Sequence, residues 1–141
     1  MLRGILVMGA LSTVLPVGAC ANNVGVTPVA QGTQARVTEA GSIVAKDRAG
    51  WDDLWMRLGQ TPPAGGLPDG KMAVAVTLGQ KRTGGYSVAI IDAQEEAGQL
   101  VVHYRVHSPG LTAMVPQVLT APYAVALMPK TDKPVRAEKV K

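Results

Sequence analysis

A chain of 141 residues holds one domain and leaves little room for a second. Its formal charge of +4 points toward nucleic acid only until it is divided. Arg3 stands alone ahead of residue 20, residues 21–128 hold eight bases and eight acids, and residues 129–141 carry five bases against two acids. A neutral body without a basic stripe argues against a nucleic-acid partner, and a single cysteine, Cys20, excludes an internal disulfide.

The chain opens with one positive charge and an apolar run, residues 5–17, that is shorter than the roughly 20 residues a spanning helix needs. Val17-Gly18-Ala19-Cys20 follows at once. A branched apolar residue, two small residues and a cysteine resemble the lipobox of bacterial lipoproteins. The small residues let a signal peptidase approach the backbone, and the thiol then takes a diacylglyceryl group. Residues 1–19 are therefore expected to be a lipoprotein signal peptide, and Cys20 the acylation site that holds the chain in a membrane. A triacylated cysteine exceeds the two lipid signals that stable anchoring takes. Ala21 is not the aspartate that retains many such proteins in the inner membrane, so the expected location is the cell envelope, the outer membrane rather than the inner.

Residues 20–34 mix Asn, Gly, Pro and Thr without charge or sustained period, and they read as the lipidated cysteine and a flexible tether spanning about 20 Å. Residues 35–128 are the expected β domain. Its first part suggests a weak hairpin, 35–38 with 43–46, turned at Ala40-Gly41-Ser42. Trp51, Leu54, Trp55 and Leu58 then fall at i, i+3, i+4 and i+7, the apolar stripe of a short helix near residues 48–58. Asp52 and Asp53 are placed in its first turn, where the helix dipole favours carboxylates, and Gly59 at its C-terminal cap.

From Met72 the period changes to two. Met72, Val74, Val76 and Leu78 share one face opposite Ala73, Ala75 and Thr77, and the pattern returns at 86–91, 100–107 and 123–128. Each strand has one large apolar face and one small or polar face, as in antiparallel strands lining a shared core. Residues 92–99 are expected to hold a turn, with Glu95 and Glu96 solvated in it. Residues 129–141 read as a basic, disordered tail. The fold class is thus mainly all-β, a small antiparallel β-sandwich or barrel-like domain with one short helix.

No catalytic arrangement, metal site or cofactor site emerges. His103 and His107 lie four apart on a strand, about 13 Å from one another, too far to share a metal whose ligands sit about 2.0–2.1 Å away. Thr83-Gly84-Gly85-Tyr86 leads into a strand, whereas a phosphate-binding glycine loop leads into a helix.

Several motifs nonetheless form a recognisable series: Trp51-Asp52-Asp53-Leu54-Trp55, the strand ending Leu78-Gly79, Thr83-Gly84-Gly85-Tyr86, Ser108-Pro109-Gly110 and Leu119-Thr120-Ala121-Pro122-Tyr123. In this order they resemble the C-terminal domain family of the protease-complex subunit PrcB. The resemblance implies an envelope protein with a non-catalytic, protein-binding domain, an accessory subunit of an exported protease. A looser resemblance runs to chagasin-type cysteine-protease inhibitors, immunoglobulin-like sandwiches whose inhibitory loops carry Thr-Thr-Gly-Tyr and Arg-Pro-aromatic stretches. Here Lys81-Arg82 stand in place of Asn-Pro, Val88 in place of an aromatic residue, and Ala121 in place of arginine. The two resemblances make Arg82, Thr83, Gly84, Gly85, Tyr86, Thr120, Pro122 and Tyr123 the candidate partner-binding residues. Direct inhibition through these glycine loops is the alternative function, and a ligand- or cell-wall-binding module a second. A partner surface is expected to show as an exposed apolar patch around the glycine loops.

Overall fold

A computed structural model describes residues 22–141. Cys20 and residues 1–19, the expected signal peptide, lie outside the described residues. Eight strands and one helix follow in the order β1 (Asn22–Val24), β2 (Thr27–Gly32), β3 (Ala40–Ala45), α1 (Arg48–Leu58), β4 (Lys71–Leu78), β5 (Ser87–Glu96), β6 (Gln99–His107), β7 (Tyr123–Pro129) and β8 (Val135–Val140). They form two four-stranded sheets, ordered β1-β5-β6-β8 and β2-β7-β4-β3. Neither closes into a barrel, and the domain is a β-sandwich with α1 laid on the outer face of the second sheet.

The second sheet is buried on both faces, and the side-chain sizes along its two central strands show how. Between the sheets, Met72, Val74 and Val76 of β4 and Ala124, Ala126 and Met128 of β7 meet Val88, Ile90, Leu100 and Val102 of the first sheet. On the helix side, Trp51, Leu54, Trp55 and Leu58 of α1 rest on Ala45, Ala73, Ala75, Tyr123 and Val125. In the antiparallel register Val74 stands opposite Ala126 and Val76 opposite Ala124, while on the other face Ala73 faces Leu127 and Ala75 faces Val125. Large residues therefore alternate with small ones across the pair, which lets each face interdigitate with its neighbour. The large face of β7 consequently points toward the helix, not into the inter-sheet core that the large face of β4 lines. The small face of β4 is what makes room for two tryptophans.

The helix matches its predicted span. Its N-cap is Asp47, whose carboxylate accepts the Gly50 N–H at 2.7 Å, and Gly59 closes it in the left-handed conformation at φ 68°. Asp52 and Asp53 are not in the first turn; Asp53 instead pairs with Arg57 one turn on, at 2.8 Å.

Four expectations for the chain's connections are corrected. Residues 20–34 do not form a tether throughout, because β1 pairs with β5 and β2 with β7. The signals were weak for a physical reason: β1 is only three residues long, and β2 holds Pro28 and an irregular register between Pro28 and Ala30. Ala40-Gly41-Ser42 is not a turn but the start of β3, which runs in continuous register along β4, with the Thr77 hydroxyl donating to Glu39 O at 2.8 Å. The turn in 92–99 narrows to Ala97 and Gly98, both with positive φ, so Glu95 and Glu96 belong to β5, and Glu95 pairs with Lys133 at 2.8 Å. The tail is not disordered throughout, since 135–140 form β8, parallel to β6. Its alternation of half-buried Val135 and Ala137 with exposed Arg136 and Glu138 is that of an edge strand with one face on the core.

Candidate functional site

The registers give the sandwich two distinct ends. At one, β4 begins and β7 finishes, with Lys71 opposite Pro129, and β1 enters opposite Glu95. At the other, Thr77 lies opposite Tyr123 and Ser87 opposite His107. All the candidate loop residues converge on this second end.

The glycine loop, 79–86, is clamped to the segment ahead of β7. Lys81 and Thr120 exchange backbone hydrogen bonds of 2.7 and 2.9 Å. The Thr120 hydroxyl donates to Thr83 O at 2.8 Å, and the Gly84 N–H donates to Pro116 O at 2.9 Å. Gly85 sits at φ 90°, and a Cβ there would lie 2.7 Å from Val115 Cγ1 and 2.9 Å from Pro109 Cβ. The glycines thus serve close approach of one loop to the other as well as backbone geometry. Tyr86 is half-buried at the strand entry, with the Lys81 ammonium 5.4 Å from its ring centroid, within cation–π range.

Burial divides the eight candidate residues. Arg82 and Gly85 are exposed, Thr83 and Tyr86 half-buried, and Gly84 buried against Pro116. Thr120, Pro122 and Tyr123 are buried, which removes them as contact residues for a partner. Pro122 O accepts the Leu78 N–H at 3.1 Å, and Tyr123 packs in the helix-side core. Their role is to hold the loops in place.

The exposed apolar surface expected around the glycine loop is present, and of its residues the sequence motifs included only Leu119. The connection between β6 and β7 presents Leu111 and Met114 fully to solvent, with Val118 and Leu119 52% and 60% exposed. One hydrogen-bonded turn, Ala113 N–H to Gly110 O at 3.0 Å, and the Gly84–Pro116 bond fix the loop at its base. The signal that could have found it is a cluster of large apolar residues in 111–119 obeying neither helical nor strand period, bounded by Pro109-Gly110 and Thr120.

Away from this end, four ion pairs form among the described residues. His103 Nδ1 lies 2.5 Å from Asp92 Oδ1, the two residues facing each other across β5 and β6. His107 does not join them, as strand spacing requires. Among the described residues no group of three His, Cys, Asp or Glu side chains is placed to hold a metal ion.

No curated protein and no solved structure matches the chain. Helix α1, although part of the resemblance, lies outside the one stretch that does match a family. That stretch, residues 72–129, carries both loops of the site and matches the family model described as PrcB C-terminal, the family that the motifs resemble.

Proposed function

We propose that the protein is a lipid-anchored envelope protein whose non-catalytic domain holds a protein partner, an exported protease to which it is an accessory subunit. Exposure of Leu111, Met114, Val118 and Leu119 on one loop carries this reading. A water-exposed cluster of large apolar side chains costs solubility and marks an interaction surface where it is rimmed by polar groups. Here the rim includes Lys81 and Arg82, neither of which makes an ion pair among the described residues. The complementary partner surface is an apolar hollow with acidic groups at its edge. The PrcB C-terminal match supports the association with a protease complex, and the lipobox-like Val17-Gly18-Ala19-Cys20 supports the anchor and, with Ala21, outer-membrane placement.

The test is co-purification from detergent-solubilised membranes. Leu111→Asp with Met114→Asp is expected to lose an exported protease that the parent chain retains, with the melting temperature unchanged because both side chains are already in water. Retention of the same partners by the variant refutes the assignment of this loop. The alternative, direct inhibition, is favoured by one observation: the glycine loop and the segment at Thr120 are bonded into a single projecting end. Titrating the purified chain against the co-purified protease separates the two, since an inhibitor abolishes turnover of a small peptide substrate and an accessory subunit leaves it intact.

A further inference from the structure

The opposite end of the sandwich carries a feature that the loop site does not explain. A cleft of about 310 Å³ opens between the glycine- and proline-rich loop before β4, the start of α1 and the end of β7. Its lining includes four cations, Lys46, Arg48, Lys71 and Lys130. None of the four makes an ion pair among the described residues, whereas other cations do: Arg57 with Asp53, Lys133 with Glu95, Arg136 with Glu138. Two acids also line the cleft, Asp47 and Asp69. Asp47 is occupied, its carboxylate capping α1 through the Gly50 N–H. The other acids of this end, Glu95, Glu96 and Asp132, do not line it, and Glu95 is paired with Lys133. Asp47 and Asp69 offset two of these four charges, so the lining keeps a net charge of +2 that a further anion would neutralise.

The position of the cleft identifies that anion. A second cleft of about 250 Å³ adjoins it, sharing Lys130 and lined by Asn23, Val24 and Gly25, the first described strand and its exit. The cationic hollow therefore lies at the end where the chain enters the domain, and only Ala21 separates Cys20 from Asn22. A chain anchored at Cys20 holds this end against the lipid surface. We infer that the cleft formed by Lys46, Arg48, Lys71 and Lys130 binds the phosphate of anionic lipid headgroups and so fixes the orientation of the domain on its membrane. The inference rests on the anchored reading above. Juxtamembrane lysines and arginines act additively on an anionic surface, each strengthening attachment by a factor of about five, and a hollow that admits the phosphate among them adds hydrogen bonds to the charge.

The experiment uses the full chain reconstituted in vesicles of phosphatidylcholine alone or of phosphatidylcholine with phosphatidylglycerol. The rate at which each lysine is acetylated is read by mass spectrometry. Lys46, Lys71 and Lys130 are expected to react severalfold more slowly in the anionic vesicles, while Lys139 and Lys141, toward the other end, react alike in both. In Lys71→Gln with Lys130→Gln, the protection of Lys46 is expected to fall. Equal rates in the two vesicle types, or protection confined to Lys139 and Lys141, overturns the proposal. Inorganic phosphate that protects the three lysines as well in neutral vesicles overturns the headgroup as the source. A chain that floats with neither vesicle refutes the anchor and the proposal together, whereas one that floats with both and shows equal rates refutes the cleft alone.

Discussion

Trp55 sets two opposed energies against each other, and a pair of substitutions separates them. Its side chain is 2% exposed, meets Trp51 edge-on with ring centroids 5.4 Å apart, and buries an indole N–H that finds no acceptor among the described residues. Truncation to alanine removes the ring from the helix-side core, a change that costs about 3–5 kcal/mol in comparable sites. It also forfeits the edge-to-face pair, worth about 0.5–1.5 kcal/mol beyond burial. The unpaired donor works the other way, because a buried N–H without a partner costs about 1–3 kcal/mol, and that penalty leaves with the nitrogen. Phenylalanine keeps a ring against Trp51 and deletes the N–H. Its lost volume costs on the order of 1 kcal/mol, within the range of conservative apolar exchanges.

Trp55→Phe is therefore expected within about 1 kcal/mol of the parent in either direction, and Trp55→Ala about 3–5 kcal/mol below it. In a domain with about 5–15 kcal/mol in total, the alanine variant approaches the limit of folding. Urea unfolding of the full chain in mild detergent, followed by circular dichroism, measures both, and equal slopes show that the unfolded states are comparable. A phenylalanine variant as damaged as the alanine variant would mean that the indole nitrogen is paired after all. An alanine variant as stable as the parent would mean that α1 contributes nothing to the core, and the two-faced reading of the second sheet would go with it.

At the glycine loop, Gly85→Ala is expected to cost about 1–3 kcal/mol, since it adds a positive-φ penalty to a Cβ placed 2.7 Å from Val115 Cγ1. The exposed Arg82→Ala should shift stability by less than about 0.5 kcal/mol. Thermal unfolding that ranks these two the other way refutes the account of the turn. For the anchor, Cys20→Ala is expected to abolish incorporation of labelled fatty acid and to leave uncleaved or mis-sorted precursor; label entering the variant ends the lipoprotein reading.

The elements that could be read from the sequence are those whose period is supported by local chemistry. Helix α1 has its stripe and Gly59 behind it, whereas its N-cap, Asp47, went unread in favour of Asp52 and Asp53. Strand β4 alternates without interruption. The alternation did not reveal that both faces are buried, because Ala73 and Ala75 look the same against solvent as beneath two tryptophans. The hairpin between β5 and β6 turns at Ala97-Gly98, with Ala97 at φ 48° where asparagine or aspartate is the usual signal. The turn therefore seemed to occupy the whole acidic run before it. Strand β8 depends on parallel pairing with β6, about 35 residues upstream, and its charged residues outweigh the alternation of Val135 and Ala137. The loop site was legible in its glycines and not in Leu111 or Met114, because residue type alone says core where only the fold says surface.

The two ends of the sandwich are about 25 Å apart, the rise of the eight residues of β4. Sites so far apart with no shared partner contribute additively, whereas those in contact do not. On the proposed reading, headgroup contact at Lys71 and Lys130 and partner contact at Leu111 and Met114 should then be separable. Leu111→Asp with Met114→Asp is expected to lose the protein partner while the vesicle-dependent protection of Lys46 stays as in the parent. Lys71→Gln with Lys130→Gln is expected to lose that protection while the partner is still captured in detergent. Combining all four changes should show both losses, each of its own size. A loop variant that unprotects Lys46, or a cleft variant that releases the partner in detergent, would show that β4 or β7 transmits a change from one end to the other. The domain could not then be a rigid spacer between lipid and partner.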